Sequence, residues 1–333
     1  MYLGFAAVQA KDSVNPLRIA GAGRCQSLVF SRRLPETKAH PRGNDDPMNS
    51  QRPVPLWPNN KRIAIAINVD LEIWSEGKAP DYTVQSTALK PGTISHGGIA
   101  WSEYGGKTGV WRVLQLLERH GVPGTFSVNA KCVEAFPDAV AQIVKSGFDI
   151  AGHGYTQDQL LVYMKPAEEK AAIKQCLDML ERASGTRPKG WVTPVHAHTE
   201  HTVEFLAEEG VLWHNEAADC DQPHRVEVRG RAMAAIPGSD FTDNRVLRTG
   251  PQLLVDSYKR AFDYLYKHEP MSYIGMSIHC QFGGRPLMIA AFDELLRYFG
   301  QHPDVWFASH RQIAQHVIDN RIDSGAYFHH AYA

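Results

Sequence analysis

The sequence predicts an α/β protein built on a parallel sheet, either open or closed into a barrel. Three observations carry that expectation. Short apolar runs alternate with amphipathic helical segments from Trp57 onward. The runs read as strands buried on both faces, as parallel strands covered by helices are. Polar residues gather where those runs end, and barrels of this kind place their chemistry at the carboxyl ends of their strands. With 333 residues, the chain is long enough to bury a sizeable core in a single large domain.

Taken in order, "KRIAIAINVD" is the first strand, a continuous apolar run ending at Asp70. Residues 77 to 100 are rich in Gly, Pro, Ser and Thr and read as a long loop, which in a compact domain is usually functional. In "GVWRVLQLLERHG", Val110, Val113, Leu114 and Leu117 share one helical face, and Gly121 stops the helix. "GTFSVN" is a strand, "DAVAQIVKSG" a helix ended by Gly147, and "FDIAGHG" a strand running into a turn. "KPAEEKAAIKQCLDMLERASG" opens with Pro166 and acidic residues in its first turn and ends at Gly185, so it is a helix. Then "KGWVTPV" and "VLWHNEA" read as strands around the helix "TVEFLAEEG". Further on, "YIGMSIHC" and "VWFAS" are strands, interleaved with the helices "LLVDSYKRAFDYLYKHE", "IAAFDELLRYFGQH" and "RQIAQHVIDN".

Residues 1 to 50 lack sustained periodicity and any good signal-peptide pattern, so they read as a disordered leader, or as upstream of a true start at Met48. Residues 51 to 320 form the catalytic domain of this reading, and 321 to 333 a tail. A formal net charge of -1 gives no field for nucleic acid or an anionic membrane, so neither is an expected partner. Cys25, Cys132, Cys176, Cys220 and Cys280 are scattered and lack CxxC spacing, against both a disulfide framework and a thiolate zinc site. There is no apolar run of transmembrane length. Together these features predict a cytoplasmic protein.

The strand ends supply the candidate residues. "INVDLE" places Asp70 and Glu72 two apart, hence on one face if the strand continues; paired carboxylates suit a general base beside a group that holds a cation or proton. His153 lies between glycines in "AGHGYTQ", where backbone can approach a ligand closely. A second histidine four residues on would complete a zinc donor pair, but that residue is Gln157. His279, in "SIHCQFGGRP", is a candidate general acid for a leaving nitrogen, with Arg285 close behind it. Asp219 or Asp221 in "ADCDQPH" is positioned in sequence to orient such a histidine. His196, His198 and His201 form either a metal-binding loop or a polar pocket rim. His268, His302, His310 and His316 read as solvated surface residues.

At these residues the chain resembles the polysaccharide deacetylase family, also known as the NodB-homology or family-4 carbohydrate esterase fold. It is most similar to the branch that holds metal-independent allantoinase and the cyclic imide hydrolases. The resemblance runs over about residues 55 to 318 and rests on "PLWPNNKRIAIAINVD", "EYGGKTGVWRVLQLLERHGVPGTFSVN" (which contains Tyr104), "AGHGYT", "RPKGW", "DCDQPH" and "IHCQFGGRPLMIAAFDELL". It implies a distorted (β/α) barrel of about seven parallel strands. It also places the family's catalytic acid at Asp70, its motif histidine at His153 and its C-terminal catalytic histidine at His279. The acid that family members carry beside the first is Leu71 here, and their second histidine is Gln157.

The expected activity is hydrolysis of a non-peptide C–N bond in a small cyclic amide, imide or ureide. Asp70 activates water and His279 protonates the leaving nitrogen. Without a metal, backbone N–H groups or Trp191, Gln157 or Arg285 must hold the oxyanion, and Glu72, Asp219, Asp221 and Tyr104 complete the expected substrate site. No metal is expected; a metal-dependent N-deacetylase would bind zinc or another divalent ion through Asp70, Glu72 and His153. A catalytically inactive binding barrel is the reading from another class. Homo-oligomers in the resembling branch imply one here.

Overall fold

The computed structural model describes residues 57–83, 89–90 and 92–324. The expected leader and most of the expected tail lie outside the described residues.

The first strand, β1 (Ile63–Leu71), is buried along its whole length, and its pleat separates two cores. Ile63, Ile65, Ile67, Val69 and Leu71 join the large apolar cluster under the helices. Ala64 and Ala66 face the other way, into a smaller cluster with Trp213, Ala234, Ile236 and Ala308. Period-2 alternation in a strand that is apolar on both faces thus gives β1 an outer face and an inner face.

The rest of the chain is α1 (His96–Tyr104), which runs through a π-helical turn at Gly105–Gly109 into α2 (Val110–His120); β2 (Thr125–Val128); the short α3 (Cys132–Ala135); and α4 (Pro137–Lys145). Then come β3 (Asp149–Gly152), α5 (Pro166–Ser184), β4 (Gly190–Trp191), α6 (Thr202–Glu208) and β5 (Trp213–His214). The chain ends with β6 (His224–Val228), β7 (Arg231–Ala235), α7 (Pro251–His268), β8 (Ser272–His279), α8 (Pro286–Gly300), β9 (Val305–Phe307) and α9 (His310–Asp319). The sheet order is β6-β7-β5-β4-β3-β2-β1-β8, with β9 also on β1, and every pairing but β6–β7 is parallel. The result is a curled half-barrel, in line with the distorted barrel that the resemblance implies.

Three features depart from the sequence reading. The end of the supposed 77–100 loop is helical: α1 starts at His96, where Ser95 caps it by accepting a hydrogen bond from the Gly98 amide. The segment "HRVEVRGRAMAA" forms an antiparallel hairpin, β6–β7, that adds an edge to the parallel sheet. Its two-residue turn, Arg229-Gly230, has positive φ at both positions, as a tight primed hairpin turn requires. Of the supposedly solvated histidines, His310 is buried against Thr125 and Trp213, His302 packs among Phe262, Tyr266 and Tyr298, and His316 packs against Trp57.

β1 changes partner along one edge. Ile63–Ile65 pair with β9, Asn68–Leu71 pair with β2, and β8 follows the other edge from Ile63 to Asp70. His310 sits at the split, its backbone N–H donating to Thr125 Oγ1 at 3.1 Å.

Candidate active site

The carboxyl ends of β1, β3 and β8 bring four ionisable side chains together. Asp70 and its register partner His279 end adjacent strands. Glu72 lies one residue past β1 and keeps the same facing, and His153 follows β3. His279 Nε2 is 3.8 Å from Asp70 Oδ2 and 3.9 Å from Glu72 Oε1. His153 Nε2 is 3.6 Å from Glu72 Oε1. These gaps exceed a hydrogen bond and leave the facing atoms free to engage a substrate or water. All four residues line one cavity of about 1050 Å³. Residues of the 77–96 segment, among them Lys78, Tyr82 and Thr93, also line it, which is the role the sequence suggested for that loop.

Each of the four is held from behind. Asn68 Nδ2 donates to Asp70 Oδ1 at 2.6 Å, and Ser127 Oγ donates to Asn68 Oδ1 at 2.6 Å. Gln281 Nε2 donates to Glu72 Oε2 at 2.5 Å. His153 Nδ1 lies 2.7 Å from the Val192 carbonyl, which can only accept, so the Nδ1 proton is fixed and Nε2 faces the carboxylates. The turn that presents His153 depends on Gly154, whose φ of 70° lies in the left-handed region. Asp243 binds His279 at two points, through Nδ1 at 2.5 Å and through its backbone N–H at 2.8 Å.

Burial and mutual charge set the protonation of the group. Burial raises the Asp70 carboxyl above its ordinary range, with the Glu72 charge adding to the rise. Burial also opposes charge on Glu72, but His279, the nearby His153 and the Gln281 hydrogen bond outweigh it, so Glu72 stays ionised to lower pH. For His279, burial works against the proton, and the charges of Asp243, Glu72 and Asp70 overcome it and push the imidazole well above its usual range. His153 is raised as well: burial opposes it, and the close approach of Glu72 with the Asp70 and Glu72 charges prevails. The site therefore holds a basic carboxylate beside a protonated imidazole, the pairing that general base and general acid catalysis needs.

Several expected residues lie elsewhere. Trp191 is fully buried in the helix-facing core, its Nε1 donating to Thr193 Oγ1 at 3.0 Å, because the pleat of β4 turns it away from the cavity. Arg285 caps the other side of the β8 turn: Nε donates to the Gln281 carbonyl at 2.9 Å, Nη2 to the Trp101 carbonyl at 3.2 Å, and the guanidinium lies 4.2 Å over the Tyr104 ring. Neither Arg285 nor Tyr104 lines the cavity. Asp219 and Asp221 are exposed and outside it, and the residue that orients His279 is Asp243. Gln157 does line the cavity, with its side-chain oxygen buried and unpartnered among the described residues. The histidine-rich loop divides: His196 lines the cavity, His198 pairs with Glu216 at 3.0 Å, and His201 packs on Phe205.

Sequence reading missed Asp243, Asn68 and Gln281. Asp243 sits in "GSDFTDNRV", a polar segment between elements where aspartates are commonplace at turns and caps, so nothing local marks it. Asn68 carried a usable signal, a polar residue facing the same way as Asp70 within an apolar strand.

The donor set departs at Leu71 and Gln157 from the metal site that the resemblance implies. Leu71, where the resembling family carries its second acid, faces the outer core with Val69 and Ile67. Among the described residues, no group of three or more His, Cys, Asp or Glu is arranged to hold a metal ion.

The comparisons make the chain a hydrolase of C–N bonds other than peptide bonds, and Asp70, Glu72, His153 and His279 gather at the mouth of its half-barrel. The model of the polysaccharide deacetylase family matches residues 102–212 of the chain. It is 22% identical to the peptidoglycan deacetylase of Helicobacter pylori over 297 residues, 78% of this chain and 97% of that protein. Among solved structures, it is 27% identical to the Puue allantoinase, with a TM-score of 0.71 over 84% of this chain and 97% of that one. A probable polysaccharide deacetylase from Pseudomonas aeruginosa PAO1 matches at 27% identity and a TM-score of 0.70, over 83% of this chain and 97% of that one. No helix among the described residues is long and apolar enough to cross a membrane.

Proposed function

We propose that the protein hydrolyses a C–N bond in a small cyclic amide, imide or ureide without a metal, in the cytoplasm and as a homo-oligomer. The observation that carries this reading is the pairing of Asp70 with His279, a raised carboxyl and a raised imidazole 3.8 Å apart on adjacent strands. In its ionised form Asp70 takes a proton from water as the water oxygen bonds to the carbonyl carbon. The developing oxyanion is met by His153, whose protonated Nε2 faces the cavity. His279 then gives its proton to the nitrogen as the C–N bond breaks, and the proton on Asp70 restores His279 for the next cycle. The products are an acid and an amine, or their joined form when the bond lies in a ring.

Ring substrates suit this site because a strained or activated amide demands less electrophilic help than a sugar acetamide. The likeness to an allantoinase structure supports the same substrate class. One observation favours a second reading, a divalent-metal N-deacetylase: His153 Nε2 and Gln157 Oε1 are both buried and unpartnered among the described residues, and Glu72 faces that histidine. Turnover of hydantoins, cyclic imides, allantoin and N-acetylated sugars, each with and without EDTA, tests both. Ring opening that survives chelation supports the proposal. Sugar deacetylation that chelation abolishes and zinc restores would overturn it in favour of the second reading.

A further inference from the structure

Tyr82 lies in the segment between β1 and α1 and lines the same cavity as Asp70, Glu72, His153 and His279. The reaction described above gives it no part, yet its ring is held in one place. It meets Trp101 edge to face, with centroids 6.3 Å apart and planes at 86°. Trp101 is buried in α1, and the Arg285 guanidinium lies 5.2 Å from its ring while donating to its carbonyl at 3.2 Å. Gly105, one helical turn further on the same face, is pressed against Gln281: a Cβ there would come within 2.9 Å of the Gln281 backbone nitrogen. Helix α1 and the turn after β8 are thus in direct contact, and Tyr82 is braced against them.

The groups around it locate the hydroxyl and leave its proton available. Burial raises the phenol above its ordinary range, and the charges of Glu72, Asp243 and Asp70 raise it further, so the hydroxyl lies within reach of those carboxylates and stays protonated. Gln281 gives its amide N–H to Glu72, and its own Oε1 is buried without a hydrogen-bond partner among the described residues. The Tyr82 proton is therefore not given to Gln281. In the sheet order β3-β2-β1-β8, His153 stands on one side of Asp70, with His279 and Gln281 on the other. Tyr82 faces the β8 side, where the nitrogen leaves, while His153 meets the oxyanion from the β3 side.

We propose that Tyr82 is a further catalytic residue, donating a hydrogen bond to the carbonyl oxygen on the far side of the leaving nitrogen. The role rests on the ring-hydrolase reading above, in which an imide or ureide nitrogen carries a second carbonyl group. The water oxygen bonds to the scissile carbon and the C–N bond breaks. Its electron pair goes to the nitrogen and is shared with the oxygen of that second carbonyl. A neutral donor at this oxygen stabilises the charge while the His279 proton passes to the nitrogen, and Tyr82 keeps its own proton throughout. Neither Asp70, His153 nor His279 supplies a donor at that position.

Dihydrouracil, hydantoin and succinimide test this, because each holds its leaving nitrogen between two carbonyls but the acidity of that nitrogen differs. Turnover of the three is compared in the parent and in Tyr82→Phe, which keeps the ring against Trp101 and should leave Tm unchanged. The variant should lose roughly tenfold to a hundredfold in kcat, with KM changed far less. The loss should be greatest on the ring with the least acidic leaving nitrogen, where the charge is hardest to carry. Both limbs of the pH–rate profile should stay where the parent has them, since the phenol remains protonated across that range. An unchanged kcat, equal losses on all three rings, a loss confined to KM or disappearance of the alkaline limb would overturn the role of Tyr82 and leave the hydrolase reading standing. A parent that opens none of the three rings would overturn the ring-hydrolase reading, and this role with it.

Discussion

Asp243 grips His279 twice, one carboxylate oxygen on the ring Nδ1 and the other on the backbone N–H of the same residue. One side chain thereby sets the tautomer, the ring plane and the strand end that carries it. Asp243 is a positioning residue in the proposed reaction, and its charge helps keep the acid protonated.

Asp243→Asn should keep the shape while removing that charge. The His279 proton is then lost at lower pH, so the alkaline limb of the kcat profile moves down by a unit or so, with kcat falling by ~10²-fold or more. A profile that superimposes on the parent's would exclude the positioning role.

Asp70→Asn should fold, because the amide can keep the Asn68 contact, yet lose ~10²–10⁴-fold in turnover as the proton acceptor disappears. The parent's acidic limb should lie above the ordinary carboxylate range, since burial raises Asp70. The variant should lack that limb. Near-normal rates on a ring substrate would reassign the base, with Glu72 as the next candidate.

Gln157→His should raise zinc occupancy by placing a second imidazole beside His153, whose Nε2 already faces the cavity. Elemental analysis after dialysis against zinc reads this directly. Identical metal content in parent and variant would mean that Gln157 is turned away from the place a metal would occupy.

Acid stability should reflect two buried neutral histidines. Burial lowers His214 to about 4 and His310 to about 3, so the folded chain refuses protons that the unfolded chain takes up below about 6.5. The unfolded state therefore binds more protons, and stability falls as pH drops from 6.5 towards 4. His310→Gln should flatten that decline, as read from urea midpoints across the range. An unchanged slope would show that other groups govern it.

Trp191 and Arg285 test the boundary of the site. Both are held in packing or turn contacts outside the cavity. Arg285→Ala should lower Tm by a few degrees, since it removes two hydrogen bonds and a stacked guanidinium worth about 1–3 kcal/mol together, and should change kcat much less than Asp243→Asn does. A kcat loss as large as that of Asp243→Asn would return Arg285 to the substrate site, where the sequence reading had it hold the oxyanion.

Much of the architecture was legible in the chain itself. The run from Ile63 to Leu71 needs helices on one side and small neighbours on the other, because alternation alone sends its isoleucines and alanines to opposite faces. The same rule put Asp70 and Glu72 on one face and ended β1 at the chemistry. What sequence order could not reveal is which distant residues meet there. Asp243 reaches His279 across 36 positions, and Gln281 reaches Glu72 across 209. Trp191, next to a site strand end in sequence, is turned into the core by the pleat of β4. Local patterning fixes period and facing because those depend on neighbouring dihedrals. Partner choice depends on how the curled sheet brings strand ends and loops together, and only the tertiary structure decides that: it made Asp243 rather than Asp219 or Asp221 the partner of His279, and it drew His310 under the site.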